Sequence, residues 1–267
     1  MSDNLAIIAC AGVLPVLIAK HHPEALCFGL KGVPNDLEND VDVHQIEKIG
    51  GLFAAMKDQG VERVVLAGSL TRPPLNPADF DPVIMGFAPR LLGALQAGDD
   101  ALLRQVIGFF EEQGFTMLGA HELVPELTAE EGLHIGPEIG KANVADVARA
   151  QEILTALSPL DVGQGCVVGN GQCLGVETLQ GTDALLRFVA ETDEARHAKG
   201  GVLVKAPKQG QDLRVDMPAI GPKTIQAVKN ARLDGIVIEA GRVMILEREK
   251  TLDAVNDTGI FLSAQRF

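Results

Sequence analysis

Short apolar runs alternate with helical stretches along the first half of the chain. Three strand-like runs occur: residues 5–10 and 25–30 are apolar throughout, and residues 61–67 are apolar except for Glu62 and Arg63. Such runs are typical of strands that are covered on both faces in a parallel sheet. Residues 48–59, between the second and third runs, carry apolar side chains at helical spacing. Because strands alternate with helices, we predict a Rossmann-like parallel-sheet domain of the α/β class over residues 1–125.

The second half of the chain has a different pattern. Asn170-Gly171 separates two apolar runs, at 165–169 and 173–177, and this pair of residues is a strong signal for a β-hairpin. Further strand-like runs alternate with helical stretches towards the end of the chain. We therefore predict a mixed α+β domain over 141–267 that carries the catalytic residues. A linker is predicted at 126–140, where periodicity is absent and Gly and Pro are frequent.

Composition excludes some classes of function. The 267 residues carry a formal net charge of −13 and contain neither Trp nor Tyr. No basic stripe offsets the acidic side chains, and stacking aromatics are scarce, so we expect no nucleic-acid partner. The four cysteines form no C-x-x-C pair and lie in apolar runs, so we predict buried free thiols.

The apolar N-terminus does not predict a membrane anchor. Residues 5–19 are interrupted by Gly12 and Pro15, and the run is shorter than the roughly 20 apolar residues that span a bilayer. Asp3 stands where a signal peptide carries basic residues. We therefore expect a cytoplasmic protein.

Three places in the first half are candidates for binding an anion or a metal. The turn that contains Gly12 and Leu14 opens a helix, whose N-terminus suits an anion, but it lacks the dinucleotide fingerprint and a plain tight turn is favoured. Asp99 is placed to cap a helix, while the role of Asp100 stays open between the helix dipole and Mg²⁺. His121, at a strand end, is either a general acid or phosphate ligand or a structural donor.

The densest alternation of charges lies at residues 205–218. Two lysines, one arginine and two aspartates fall within twelve residues, and such a set suits phosphoryl chemistry. We predict a strand at 213–215, which would place Asp212 and Asp216 on one side. There they could share a metal or divide metal binding and water activation. A solvated edge strand with surface ion pairs explains the residues equally well.

Seven short motifs occur in order over nearly the whole chain. They are AGVLP at 11–15, GDDALLR at 98–104, GAHE at 119–122, LDVGQG at 160–165, GTDALL at 181–186, KAPKQGQDLRVDMP at 205–218 and EAG at 239–241. No single motif is diagnostic, but together, with their spacing, they resemble one family, the LpxI-type UDP-2,3-diacylglucosamine pyrophosphatases. Two departures are visible: Ala11-Gly12 stands where consecutive glycines are expected, and Gln209-Gly210 follows Lys208 instead of a proline-led stretch.

The resemblance implies a fold and a reaction. It implies two domains and Mg²⁺-dependent hydrolysis of UDP-2,3-diacylglucosamine, a lipid-linked sugar nucleotide, to 2,3-diacylglucosamine 1-phosphate (lipid X) and UMP on the pathway to lipid A. Water is expected to attack the β-phosphorus on the sugar side. A lipid substrate also implies transient contact with the inner-membrane surface, peripheral at most, and a homodimer is compatible with the family.

Site residues are expected at the motif positions, with Asp216 essential. We expect catalytic roles for Asp216, Asp212, Arg214 and Lys205, with Asp212 and Asp216 as the Mg²⁺ ligands. We expect substrate contacts at Gly12, Leu14, Asp100, His121, Asp161, Gln164, Gly181, Thr182, Asp183, Lys208, Gln211 and Thr224.

Two other functions stay open. The chain could be a hydrolase of a different sugar nucleotide or phosphoester, which an assay of several UDP-sugars, acylated and not, would separate. It could also be a non-catalytic sensor of a nucleotide or lipid. A sensor has no need for Asp212 and Asp216 beside basic residues, and its ligand would survive in the presence of Mg²⁺.

Overall fold

Two units make up the part of the protein that the computed structural model describes. The described residues are 4–38, 40–71, 74–197 and 199–267. The first unit is Met1–Pro125 together with Asp212–Asp216, and the second is Glu126–Gln211 together with Met217–Phe267. A five-residue segment from late in the chain therefore packs with the first unit.

The first unit is built on a five-stranded sheet. Its strands are β1 (Leu5–Ala9), β2 (Leu26–Leu30), β3 (Val41–His44), β4 (Arg63–Ala67) and β5 (Thr116–Leu118), and its helices are α1 (Leu14–His21), α2 (Ile49–Asp58), α3 (Pro82–Ala97), α4 (Asp99–Glu112) and α5 (Ala120–Leu123). The strand order is β3-β2-β1-β4-β5, and every pair is parallel. The predicted parallel α/β sheet is thus confirmed. The order reverses between β1 and β4, where ligands of such sheets bind at the carboxyl edge.

The apolar pattern explains the core of this unit. All five residues of β1 are buried, as expected for a strand in the middle of a parallel sheet. Leu52, Phe53 and Met56, the apolar face of α2, are buried in the same cluster as Phe28 of β2. Asp81 caps α3, because its carboxylate accepts the backbone N–H of Ile84 at 2.8 Å.

The second unit contains a mixed six-stranded sheet. The strands of this unit are β6 (His134–Ile135), β7 (Gly165–Gly169), β8 (Gln172–Val176), β9 (Val202–Lys205), β10 (Ala219–Ile220), β11 (Gly235–Glu239), β12 (Met244–Ile245) and β13 (Phe261–Gln265). Its helices are α6 (Lys141–Leu157), α7 (Gly181–Ala190), α8 (Pro222–Asn230) and α9 (Arg248–Thr258). The order is β6-β13-β11-β9-β7-β8, and β10 pairs with β12 in a separate small sheet. Strands β13, β11 and β9 are parallel, while β6, β7 and β8 are antiparallel to their neighbours. The predicted mixed α+β character is confirmed.

The predicted hairpin is present between β7 and β8. Asn170 and Gly171 both have positive φ angles, 51° and 77°, as a tight hairpin turn requires. The carboxylate of Asp146 accepts both of their backbone N–H groups, at 3.0 and 2.6 Å. Cys173 on β8 is exposed, so the prediction of a buried thiol is wrong there, because β8 lies at the sheet edge.

The segment predicted as a linker is part of the second unit. Within residues 126–140, His134 and Ile135 form β6, which pairs with β13. Gly136 has a φ of +89°, and a Cβ there would lie 2.2 Å from the carbonyl oxygen of Ile260. The glycine that made this stretch look irregular therefore permits a close approach of two backbones.

Among the described residues, no helix combines the length and apolarity that crossing a bilayer requires.

Candidate active site

The loops that follow β1 and β4 meet at the carboxyl edge of the first sheet. Ala11 and Ser69 exchange backbone hydrogen bonds of 3.1 and 2.8 Å. A Cβ at Gly68, where φ is +95°, would lie 2.5 Å from the carbonyl oxygen of Ala11, so only glycine fits. These contacts hold the turn after β1 at the point where the strand order reverses, which is the position that favours ligand binding.

Gly12 and Leu14 lie in this turn. Gly12 is exposed with a φ of +97°, and Leu14 begins α1. The carbonyl of Val13 accepts the N–H of Leu17 and so starts the helix. The geometry agrees with an anion site at the start of α1, and substrate contact by Gly12 and Leu14 stays a prediction.

Residues 212–216 form a turn, so the predicted strand at 213–215 is wrong. The N–H of Asp216 donates to the carbonyl of Asp212 at 3.4 Å, and the N–H of Arg214 donates to the Asp212 carboxylate at 3.1 Å. An aspartate that captures nearby backbone N–H groups competes with strand formation. Val215 packs against the apolar core of the first unit, which anchors the turn there.

Arg214 is held by two carboxylates. Its Nη2 and Nε donate to Asp212, at 2.7 Å to Oδ2 and 3.0 Å to Oδ1, and its Nη1 donates to Glu111 of α4 at 2.7 Å. Hydrogen bonds from the Arg214 side chain hold the pKa of Asp212 below its ordinary value, and those bonds raise the pKa of Arg214. The predicted neighbours Asp212 and Arg214 thus form one charged unit. Glu111 was not predicted, because it lies 103 residues away.

Helix α4 contributes further charges to this cluster. Asp100 accepts from Arg104 at 2.8 Å, one turn along the helix, and the charge of Arg104 also lowers the pKa of Asp212. The prediction that Asp99 is the N-cap is wrong. The helix begins at Asp99, and Gly98 occupies the cap position with a φ of 112°; the Asp99 side chain lies outside the described part.

His121 lies beside the same turn, on the short helix α5 that follows β5. A Cβ on Gly119 would lie 2.5 Å from the His121 ring and 3.3 Å from the Cα of Arg214. Gly119 therefore lies between the His121 ring and the backbone of Arg214, with no room for a side chain of its own. Nδ1 of His121 is buried and has no hydrogen-bond partner among the described residues. A buried nitrogen without a partner is uncommon and is available to a ligand or a water molecule.

A second cluster lies within the second unit, around Lys205 at the end of β9. Its side chain is 4% exposed, and Nζ donates to Oγ1 of Thr182 at 2.6 Å and to the carbonyl of Ala219 at 3.2 Å. Oε2 of Glu177 lies 3.6 Å from the ammonium, and Thr182 donates to the other oxygen of Glu177 at 3.0 Å. The structure thereby brings together Lys205 and Thr182, which were predicted, with Glu177, which was not among the predicted site residues.

Glu177 is fixed by the backbone around it. Its N–H donates to the carbonyl of Gly165 at 2.7 Å, and a Cβ on Gly165 would lie 2.5 Å from its Oε2. That oxygen is buried and, in the described part of the chain, accepts no hydrogen bond. Its negative charge faces Lys205 and leaves one acceptor position unfilled.

A third group joins two loops of the second unit. Lys208 donates to Asp161 at 2.5 Å, and its backbone N–H donates to the side chain of Gln211, which is buried. The N–H of Ala206 donates to the carbonyl of Gln164 at 3.0 Å. The loop after β9 is therefore tied to the loop before β7 through residues that were predicted to contact substrate.

The remaining predicted positions lie at helix starts. Gly181, with a φ of 80°, begins α7, so Thr182 is inside the helix rather than its cap; Asp183 is exposed in the first turn. Thr224 accepts the N–H of Gly221 at 3.3 Å and so caps α8. Pro222, which follows Gly221, has no N–H. Gly221 and Pro222 at the start of α8 therefore offer no backbone donor to a phosphate.

The donor set fits Mg²⁺ better than Zn²⁺. No group of three or more His, Cys, Asp or Glu side chains gathers anywhere in the described ranges. Mg²⁺ is commonly held by one or two carboxylates together with substrate phosphates and water, and it needs no such cage. Both oxygens of Asp212 accept from Arg214, and the predicted metal roles of Asp212 and Asp216 stay predictions.

Comparison with known proteins gives matches over both units. The LpxI N-terminal domain family matches residues 4–127, and the LpxI C-terminal domain family matches residues 130–263. The chain is also similar to a Caulobacter vibrioides protein named UDP-2,3-diacylglucosamine pyrophosphatase LpxI. The two are 37% identical over 269 residues, which cover 97% of this chain and 96% of that protein.

Proposed function

Because the chain belongs to the LpxI family, we propose that it hydrolyses the pyrophosphate bond of UDP-2,3-diacylglucosamine. The products would be 2,3-diacylglucosamine 1-phosphate and UMP, and the reaction would serve lipid A biosynthesis. The observation that carries this proposal is the 37% identity to a pyrophosphatase of that name along almost the full length of both chains.

The turn at 212–216 supports phosphoryl chemistry. In such reactions negative charge spreads over the phosphoryl oxygens, and fixed cations stabilise it. Arg214 supplies a fixed guanidinium, and Asp212 and Glu111 hold its orientation. Asp216 would take the proton of the attacking water or hold the metal, and the buried Nδ1 of His121 beside the turn would contact the phosphate.

We propose Mg²⁺ as the cofactor, with Asp216 as its protein ligand. When bound, the ion would neutralise charge on the phosphoryl oxygens and lower the pKa of its water. Asp212 keeps Arg214 in place in this arrangement, and a direct role for it in metal binding stays a prediction. The chain itself would hold the Arg214 guanidinium and position the Asp216 carboxylate.

Lys205 has a supporting role in this scheme. Its ammonium is buried and its hydrogen bonds go to Thr182 and the Ala219 carbonyl, with Glu177 as its counter-ion. A cation in such a setting is fixed in position and is suited to orienting a ligand. We therefore propose that Lys205 orients a bound ligand, and its predicted catalytic role stays a prediction.

The proposed reaction has a direct test. The purified protein, incubated with UDP-2,3-diacylglucosamine and Mg²⁺ in ¹⁸O-labelled water, should release UMP and lipid X. If water attacks the β-phosphorus, the label appears in lipid X, and if it attacks the α-phosphorus, the label appears in UMP. UDP-N-acetylglucosamine, which lacks long acyl chains, is the matched control, and equal cleavage of both would favour a general sugar-nucleotide hydrolase.

The lipid substrate bears on location. We propose that the protein acts in the cytoplasm and touches the inner membrane only transiently, since its net charge of −13 opposes tight binding to anionic lipid. After cell lysis at ordinary salt, the protein should stay in the supernatant. Recovery mainly in washed membranes would contradict this proposal.

A further inference from the structure

A groove runs along one side of α7 in the second unit, beside the edge strand β8. Its volume is about 370 Å³. It is lined by Gly175, Val176, Thr178, Gln180, Gly181, Ala184, Leu185 and Phe188. Four of these residues, Gly181, Ala184, Leu185 and Phe188, lie on α7 at i, i+3, i+4 and i+7, so one stripe of the helix forms a wall.

The lining is uncharged in a strongly acidic protein, and it combines apolar side chains with those of Thr178 and Gln180. None of the described lining residues carries a charge, although the chain has 36 acidic and 23 basic residues. Phe188 is 64% exposed, and Leu179, between two lining residues, is 91% exposed. Leu186 and Val189 already fill the core side of α7. Exposed large apolar side chains at or near a concave surface are typical of a binding site.

The groove has a polar end. Thr178 and Gly181, which line it, are the chain neighbours of Glu177 and Thr182, and the last two residues both contact Lys205. Oε2 of Glu177 is buried there without a hydrogen-bond donor among the described residues. A ligand that fills the groove and reaches this end would need an apolar tail and a polar head with a hydroxyl or amide donor.

We propose that this groove binds an acyl chain of the substrate and that Phe188 and Leu179 cover the chain. The proposal rests on the proposed function, whose substrate carries two acyl chains on a sugar with free hydroxyl groups. Gly175 lies under the side chain of Leu185, another lining residue. A Cβ there would lie 2.5 Å from Cδ1 of Leu185, so Leu185 packs directly on β8.

Two variants test the groove from opposite directions. Phe188→Ser removes its apolar cover, and Ala184→Phe fills its interior. Val144→Ser is the matched control, because Val144 is an exposed apolar residue on α6, outside the groove. Unchanged unfolding midpoints would show that the variants fold, and an exposed Phe188 predicts little loss of stability.

The measurement is kcat/KM for two forms of the substrate, one with long and one with short acyl chains. With the long-chain form, both groove variants should lose roughly tenfold or more, a size typical of altered apolar pockets. With the short-chain form, they should stay within about twofold of wild type. Val144→Ser should match wild type on both. Equal loss on the two substrates, or no loss on either, would overturn the proposal.

The outcomes separate this proposal from its alternatives. If the wild-type protein cleaves neither substrate, the proposed function fails, and the groove is then judged from calorimetric binding of long-chain and short-chain lipid X to wild type and Phe188→Ser. If Phe188→Ser changes only the oligomeric mass in sedimentation, the groove is a contact between copies. If it changes only binding to phosphatidylcholine vesicles, the groove is a membrane contact. Either of the last two results would overturn the acyl-chain assignment.

Discussion

Two basic side chains, one in each unit, are neutralised in different ways. Arg214 is 33% exposed and divides its guanidinium between Asp212 and Glu111. Lys205 is 4% exposed, with a hydroxyl and a carbonyl as acceptors and the carboxylate of Glu177 at 3.6 Å. The first has kept much of its contact with water, and the second has lost almost all of it.

The difference teaches what each cluster can do. A partly exposed arginine can exchange a carboxylate for a phosphate at small cost, since exposed ion pairs contribute little to stability. A buried lysine cannot lose its counter-ion without leaving a charge unbalanced in the interior. We therefore expect variants around Arg214 to affect turnover, and variants around Lys205 to affect the free energy of unfolding first.

Removal of Mg²⁺ should have the largest effect. EDTA is expected to reduce UMP release to the background rate, and added Mg²⁺ should restore it. The reason is that the ion would neutralise the negative charge that develops on the phosphoryl oxygens. The unfolding midpoint should change little, since the hydrogen bonds of both clusters are made by the protein alone. Full turnover in EDTA would remove the metal from the scheme and leave Arg214 and Lys205 as the sources of positive charge.

The comparison predicts unequal stability losses for two matched substitutions. Glu177→Gln should lower the free energy of unfolding by roughly 3 kcal/mol, the scale of breaking a buried ion pair. Glu111→Gln removes one of the two carboxylate partners of the partly exposed Arg214 and should cost less than about 1 kcal/mol. Urea unfolding of both proteins measures the difference. Equal losses would mean that burial does not distinguish the two clusters.

Local signals account for what the sequence predicted of the fold. The predicted runs at 5–10, 25–30 and 61–67 contain β1, β2 and β4, and Asn170-Gly171 predicted the hairpin, because both features depend on neighbouring residues. Residues 213–215 of the turn at 212–216 were predicted as a strand. The shape of the turn depends on the hydrogen bond that the Asp212 carboxylate accepts from the backbone N–H of Arg214. It also depends on the packing of Val215 against the core of the first unit, whose residues lie about 100 positions or more earlier in the sequence.

In the candidate site too, only pairs of residues that are close in sequence could be predicted. Asp212 and Arg214 are close in sequence, and their pairing could be expected. Glu111 pairs with Arg214 across 103 residues, and Thr182 with Lys205 across 23, and no local pattern encodes those distances. The acid at the end of β8, Glu177, could have been suspected from its place after a strand, but its pairing with Lys205 depends on the sheet order.

Asp216→Ala should reduce kcat by roughly 10²-fold while the protein stays folded, as expected for a general base or a metal ligand. Loss of a negative charge near an anionic ligand should leave KM unchanged or lower it, and uncleaved substrate could stay bound through purification. Asp253→Ala, which removes an exposed acid on α9, is the control and should behave as wild type. Near-normal turnover in a well-folded Asp216→Ala protein would limit this residue to a structural part of the turn.

The smallest expected effect is a pH-dependent one at Asp212. Hydrogen bonds from the Arg214 side chain lower the pKa of Asp212 in the folded protein, so its ionised form stabilises the fold above the unfolded-state pKa of about 3.9. This contribution is lost as the pH falls through the lowered folded-state pKa. Asp212→Asn does not titrate there, and it should cost about 1 kcal/mol near neutral pH, as a partly exposed pair does. Urea unfolding at a series of pH values should show the gap between wild type and Asp212→Asn closing below about pH 4. A gap that persists unchanged in acid would mean that Asp212 acts through the shape of the turn rather than through its charge on Arg214.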